Sequence, residues 1–310
     1  MTSSATSRGS GDLAADRRFA WAAGAAREGD HASAAELCEQ VLELVPDWAP
    51  AWFALGEARE ALGETTAAVE AFRRAELADP LDRLGAGLRR ARLEGATPSR
   101  PPGAHVRQLF EDYAPRFERH LVDVLGYDGP ARLRRLLEAA RAGQGKPFRF
   151  GRLLDLGCGT GLVGRAFADC CDDIHGVDIS PAMVAAARAH GVYASLEVDD
   201  LVPWLARREA RAADLVVAAD VFVYVGDVGE TLRLIGRALG VGGLCAATLQ
   251  SGPEAGFALG ADLRYAHSPA YVEEAASAAG LALVLLEEGA FRKDKGVGVP
   301  GYSVVLGKRH

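Results

Sequence analysis

Phe148-Arg-Phe-Gly-Arg-Leu-Leu-Asp-Leu-Gly-Cys-Gly-Thr-Gly161 decides the fold: an apolar strand runs into three glycines at alternate positions, Gly157, Gly159 and Gly161. The consequence is a tight strand-to-helix turn. Only residues without a β-carbon can take the conformations and close approach that such a turn needs, here against the amino-acid part of a ligand at a helix N-terminus. Asp155 stands just before the turn, where its carboxylate can accept bonds from an ammonium group or order the loop. Cys158 reads as a small filler of the loop rather than a nucleophile. Further on, Asp173-Ile-His-Gly-Val-Asp178 is a second strand ending in an acid, followed by Ile179-Ser180-Pro181. An acid at that strand end can take both hydroxyls of a ribose.

A bare GxGxxG would leave a nicotinamide enzyme open. Here the glycines are compressed to GxGxG behind Asp-Leu, and Pro181 and Met183 follow the second acid. That arrangement resembles motif I and its successor in class I S-adenosylmethionine-dependent methyltransferases, over residues 106–310. The resemblance implies an α/β, doubly wound, Rossmann-like sheet of seven strands in the order 3-2-1-4-5-7-6, the last strand antiparallel, with S-adenosylmethionine as cofactor. It assigns cofactor contacts to Asp155, Gly157, Cys158, Gly159, Gly161, Asp178, Ile179 and Met183. In Leu196-Glu-Val-Asp-Asp-Leu201 it makes Asp200 the acceptor for the adenine amino group, with Asp199 as the competing choice, and sets the Leu201 amide against a ring nitrogen. A lone Asp at a strand end is usually a turn former or helix cap. Asp155, Asp178 and Asp200 at the ends of successive strands point instead to binding.

The remaining elements arrive in the matching order. Asp214 to Asp220 is a nearly continuous apolar run, as for a strand buried between helices, and its end at Ala218 lies beside the cofactor's ribose-methionine part. A helix over Gly229–Leu239 leads through a Gly-Val-Gly-Gly243 turn into a strand over Leu244–Gln250. A final helix, Pro269–Ala279, precedes two strands, Ala282–Glu287 and Tyr302–Leu306, suited to an antiparallel hairpin.

Upstream, residues 49–82 laid over 15–48 show a period of 34 residues, pairing Gly29 with Gly63, Ala34 with Ala68, Cys38 with Phe72, Val41 with Ala75 and Pro46 with Pro80. Small residues permit close helix approach, glycine marks the turn and proline stops the second helix. The pattern resembles the tetratricopeptide repeat on Trp52, Leu55, Gly56, Gly63, Ala68, Phe72, Ala75 and Pro80; Arg18 replaces the tryptophan in the first copy. The alternative is a bundle of amphipathic helices whose period is accidental. The expected organisation is a disordered tail over 1–16, two repeats with a capping helix (about Leu81–Leu93) over 17–95, a Pro/Gly linker over 96–105 and the methyltransferase domain over 106–310. Its lid helices, 106–142, begin with a helix over Val106–Leu125 and resume at Pro130.

Composition narrows the partners. A net charge of -7 argues against neutralising nucleic-acid phosphates or anionic lipids. The apolar runs are too short to cross a bilayer. Five cysteines without CxxC pairing, and no secretory leader, suggest a reducing cytoplasm and no metal site. The excess of alanine and arginine is a habit of GC-rich bacterial genomes.

Methyl transfer from a sulfonium is an in-line displacement, so the protein chiefly holds the acceptor and sheds water. A hydroxyl or protonated amine also needs a base. Asp220, Tyr224, His267 and, in the lid, Tyr113 and His120 are the candidates, with His120 and His267 also readable as structural histidines. The stretch Phe110 to Leu121 with Tyr127 resembles the leading segment of bacterial methyltransferases fused to tetratricopeptide repeats, which carries Tyr113 over as a cofactor contact; Tyr113 and Phe117 also read as lid core. Absence of Asn-Pro-Pro-Tyr after strand four, where the chain has Ala218-Ala-Asp-Val221, counts against base or glutamine N-methylation. A small-molecule acceptor leads; a protein acceptor docked by the repeats is second, a non-catalytic repeat scaffold third and a dehydrogenase fourth. The repeats themselves suit a protein partner, self-association or simple packing.

Overall fold

The computed structural model describes residues 9–117, 127–290, 293–294 and 296–309, and it divides into two compact units, Met1–Asp112 and Tyr113–His310. In the first, α1 (Leu13–Glu28) and α2 (His31–Leu44) form one hairpin, α3 (Ala49–Ala61) and α4 (Thr65–Ala78) a second, and α5 (Ala86–Leu93) packs on α4. The repeat arithmetic is visible in the packing. Gly29 and Gly63 take left-handed φ values of 83° and 76° at the inter-helix turns. The superposed side chains Ala34 and Ala68, Cys38 and Phe72, and Val41 and Ala75 are all buried. Gly56 is required by close approach, since a β-carbon there would lie 2.6 Å from the Phe72 ring.

Three expected boundaries move. Helix α1 begins within the stretch read as tail, because Asp12 caps it by accepting from the Ala14 and Ala15 amides at 2.7 and 2.9 Å. The capping helix starts at Ala86 rather than Leu81: Asp82 and Gly85 are left-handed, and the Asp82 carboxylate accepts from Ala86 N and Gly87 N. The lid helix expected over Val106–Leu125 is interrupted after Tyr113. Helix α6 (Gly103–Tyr113) gives way to a 3-10 turn over Ala114–Arg116, where Pro115 has no N–H to donate. Residues 118–126, including His120, lie outside the described residues.

The second unit holds α7 (Gly129–Gly143), β1 (Phe150–Leu156), α8 (Leu162–Phe167), β2 (Cys171–Asp178), α9 (Pro181–Arg188), β3 (Ser195–Val198), α10 (Leu201–Ala206) and β4 (Ala213–Ala218). A 3-10 turn over Phe222–Tyr224 precedes α11 (Gly229–Ala238), β5 (Leu239–Ser251), β6 (Phe257–Leu259), β7 (Tyr265–His267), α12 (Pro269–Ala278), β8 (Leu281–Glu288), the two-residue strands β9 (Lys293–Asp294) and β10 (Val297–Gly298), and β11 (Gly301–Lys308). The main path runs β3-β2-β1-β4-β5-β11-β8, parallel except for β11, which is antiparallel to β5 and β8. This is the doubly wound order 3-2-1-4-5-7-6.

Strand alternation builds a core on each face. Leu153, Leu215, Val217, Ala246 and Val305 pack with Leu133 and Leu137 of α7 and Val163 and Phe167 of α8. Leu154, Val216, Ala218, Ala247 and Val304 pack with Trp204 of α10, Leu232 and Ile235 of α11 and Val272 of α12. The Gly-Val-Gly-Gly243 segment is not a turn before β5 but an irregularity inside it: Ala213 pairs with Leu239 and Leu215 with Leu244, so Gly240–Gly243 loops out. The β6–β7 hairpin, hung from the end of β5, has no counterpart in the sequence reading.

Phe72→Ala removes the side chain around which α3 and α4 close, and should cost about 3–5 kcal/mol. Hydrogen exchange should then show faster opening of α3 and α4 with β1, β4 and β5 unchanged; native protection in α3 and α4 would contradict this packing.

Candidate functional site

The three loop glycines all take left-handed φ, 65° at Gly157, 51° at Gly159 and 95° at Gly161. A β-carbon on Gly157 would lie 2.6 Å from Val221 Cγ2, and one on Gly161 3.3 Å from the Ala187 Cα. One on Gly159 would face the Phe117 ring at 3.7 Å, so Phe117 lies over this point of the loop. Phe117, Tyr127 and Leu162 pack together beside it. Cys158 is buried, and burial raises its thiol well above the ordinary range, which fits a filler rather than a nucleophile.

Two acids frame the loop. Asp178 is nearly buried at the end of β2; its Oδ2 accepts from Gly159 N and its Oδ1 from Ser180 N, both at 2.9 Å. Asp155 is fully buried at the end of β1; its Oδ2 accepts from the Tyr193 hydroxyl at 2.6 Å, while Oδ1 has no partner among the described residues. Burial pushes its carboxyl up to about 7, against the Tyr193 bond, with the nearby Asp178 charge adding to the rise.

The expected contacts divide. Asp155, Gly157, Cys158, Gly159, Gly161 and Asp178 share the loop; Ile179 follows at half exposure, whereas Met183 is sealed in the core with its amide donating to the Ser180 hydroxyl. Asp200 caps α10 by accepting from Val202 N at 3.0 Å, with Leu201 as the first residue of that helix. Asp199 pairs with Arg207 and accepts from Asp200 N. Ala218 ends β4, buried.

Beyond β4 lies a second cluster. Asp220 takes a left-handed φ of 59°, its N–H held by Thr248 Oγ1 at 2.8 Å. Burial pushes its carboxyl up to about 6, opposed by the Arg264 guanidinium. Arg264 sits 5.8 Å from the centroid of the Tyr224 ring. The same group of charges acts on Tyr113, whose phenol burial raises to about 12, with Tyr224 and Asp220 raising it further and Arg264 and Arg116 opposing. Tyr113 packs edge-on to Phe117 at 5.1 Å. Thus Asp220, Tyr224 and Tyr113 come together. His267 is fully buried on β7, its Nε2 2.9 Å from the carbonyls of both Val225 and Gly226 and its ring stacked on Tyr271. Burial lowers its pKa, so it is a neutral donor to backbone, the structural alternative for this residue.

Sequence reasoning missed Tyr193 and Arg264. Tyr193 donates to Asp155 and accepts from Gly164 N at 3.1 Å, and β-carbons on Gly164 and Gly176 would strike its ring at 2.4 and 2.9 Å. Glycines inside a helix and a strand were the available signal for such a bulky neighbour. Arg264, on an aperiodic segment, offered none.

Residues 154–245 match the family model described as "Methyltransferase domain", and residues 25–92 the one described as "Tetratricopeptide repeat". Over 110 residues the chain is 36% identical to a ubiquinone biosynthesis O-methyltransferase of Nitrobacter winogradskyi, covering 35% of this chain and 42% of that protein. It is 35% identical over 112 residues to the protein so named in Xanthomonas oryzae, covering 35% and 46%. The chain therefore spans less than half the length of these relatives. Among solved structures, the [4+2]-cyclase SpnF superposes with a TM-score of 0.51 at 18% identity, over 66% of this chain and 96% of that one. A chain of the complex between the Haloferax volcanii Trm112 methyltransferase activator and a methyltransferase superposes with 0.50 at 22%, over 65% and 98%. The chain carries a methyltransferase domain on the class I fold, preceded by a tetratricopeptide repeat region. That one fold neighbour is a cyclase shows why the chemistry has to be argued from the site.

Tyr193→Phe strips a partner from both Asp155 and the Gly164 amide and should destabilise the chain by about 1–3 kcal/mol in denaturant melts. The raised Asp155 pKa carries a sign: the ligand-free fold keeps a proton that the unfolded chain loses above 3.8, so this contribution to stability falls as pH rises toward about 7. Asp155→Asn should therefore reduce the stability lost between about pH 4 and about pH 7. An undiminished loss would place the titration elsewhere.

Proposed function

We propose that this methyltransferase-domain protein transfers a methyl group from S-adenosylmethionine to a hydroxyl of a small-molecule acceptor. The observation that carries the reading is the pair of acids around the glycine loop: Asp178, which accepts from the Gly159 and Ser180 amides, and buried Asp155, with its Oδ1 unpartnered among the described residues. The residues present fit the cofactor. Left-handed glycines leave room at Gly159 up to Phe117, Asp178 suits the ribose diol, and the open Asp155 oxygen suits a donor on the ammonium side. Asp200 and the Leu201 amide are assigned to adenine, Ile179 to the ribose side and Tyr113 to the cover over the site. When bound, the cofactor supplies an electrophilic methyl on a sulfonium, leaving as the neutral thioether.

The chain's own work is at the acceptor. Asp220 accepts the hydroxyl proton; the electron pair left on oxygen forms the bond to carbon. Tyr224 and Tyr113 orient the acceptor and exclude water. His267 is left out of the catalytic set because its ring is used by the core. The assignment to an oxygen acceptor is supported by the names of the relatives, and the reducing cytoplasm by five cysteines that are all free and buried. A second reading, in which the repeats bring a protein acceptor, draws on the repeat match over residues 25–92.

Titration calorimetry with S-adenosylmethionine and S-adenosylhomocysteine tests the site directly. Asp178→Ala should weaken both by about 1.5–3 kcal/mol, through lost charge-assisted bonds. Gly159→Val, strained at its left-handed φ and pressed toward Phe117, should abolish binding in a folded chain. Native affinity in both variants would sink the proposal. For turnover of acceptors found by screening hydroxylated metabolites with labelled cofactor, the base needs its proton off, so the rate should rise with pH through about 6. Asp220→Asn should lower kcat by about 10²- to 10⁴-fold and remove that limb; a retained limb would assign the base elsewhere.

A further inference from the structure

The β6–β7 hairpin places one residue that neither the motifs nor the relatives single out. Its turn is closed by Gly260 N–H donating to Arg264 O at 2.8 Å and by Leu263 N–H donating to Gly260 O at 3.0 Å. Arg264 N–H in turn donates to Asp262 Oδ1 at 3.1 Å, and Leu263 adopts a left-handed φ of 59°. The turn thereby fixes where the Arg264 side chain starts. It ends with the guanidinium carbon 5.8 Å from the centroid of the Tyr224 ring, in range for cation–π attraction. On the other side, Asp220 is held in its own left-handed conformation at the end of β4 by Thr248. Leu263, next to Arg264, and Asp220 itself are non-glycine residues kept in a sparsely populated conformation, the kind of strain that persists where side chains must be aimed.

The charges around Asp220 are few in kind. Arg264 faces it from the hairpin, and the phenols of Tyr224, Tyr113 and Tyr127 face it from the 3-10 turn, the end of α6 and the segment before α7. Asp155 reaches the same Tyr127 from β1, and Asp262 adds its charge to Arg264 from within the turn. Among the described residues, the cation set against Asp220 itself is Arg264.

We propose that Arg264 is a positioning residue for the acceptor side: its guanidinium lies against the Tyr224 ring and presents a fixed positive charge to Asp220, the proton acceptor. The proposal rests on the reading of Asp220 as base and deepens it. Burial raises the proton affinity of Asp220 and Arg264 opposes that rise, and once the acceptor hydroxyl has given up its proton, the negative charge on the acceptor oxygen stays in the same cation's field. The guanidinium, always protonated, does this at any working pH.

The test needs no acceptor. Infrared difference spectra of the full chain, recorded across pH, should show a protonated carboxyl stretch that is missing in Asp220→Asn and that titrates in the native protein near about 6. In Arg264→Gln the midpoint should move up by about one pH unit or more, and in Arg264→Lys it should stay near the native value. S-adenosylhomocysteine binding to the native chain is measured in parallel. An unmoved midpoint in a folded Arg264→Gln variant overturns the proposal. So does a midpoint that moves equally in Arg264→Lys, because the effect would then follow packing rather than charge. Failure of the native chain to bind S-adenosylhomocysteine, with the Arg264 shift intact, would instead remove the cofactor reading and leave the coupling standing.

Discussion

A single hydroxyl joins the parts on which the site depends. Tyr193 donates to Asp155 at the end of β1 and accepts from the Gly164 amide in α8, with its ring seated against Gly164 and Gly176. The glycine loop is the short span between these two anchors. Three successive left-handed turns cost conformational freedom and have little side-chain packing of their own, so their shape must be imposed from the ends. Tyr193 supplies one constraint and Asp178, accepting from Gly159 N, supplies the other. The loop is thus pre-shaped by the protein, which spares a ligand the cost of ordering it.

The two acceptor-rich regions differ in how their charge is managed. At the loop, Asp178 is satisfied by backbone amides, while buried Asp155 keeps one oxygen open and a high proton affinity. Past β4, Asp220 is half-buried and has a guanidinium to hand. Burial raises the proton affinity of both aspartates, opposed by the Tyr193 hydroxyl at Asp155 and by the Arg264 guanidinium at Asp220.

The repeats were legible because their chemistry is local. A glycine at each turn, alanines where helices touch and an aromatic or cysteine at the centre recur at a fixed distance, and each lands buried or left-handed where the period puts it. Helix limits were less legible. Asp12 and Asp82 capped helices in ways that depend on which amides are left over, and Pro115 ended a helix whose apolar periodicity ran straight through it.

From the sequence alone came the glycine loop with its two acids and the repeat period, and the strand order through the resemblance these motifs carry, because periodicity, glycine spacing and acids at strand ends are properties of consecutive residues. The tertiary structure decided which distant residues complete the site. It brought Tyr193 under the loop, set Arg264 beside Tyr224 and Asp220, and gave the His267 ring to the core, its Nε2 bonded to the Val225 and Gly226 carbonyls. Those outcomes turn on contacts across tens of residues, where burial and electrostatics depend on what the fold packs together and local pattern carries no record of it.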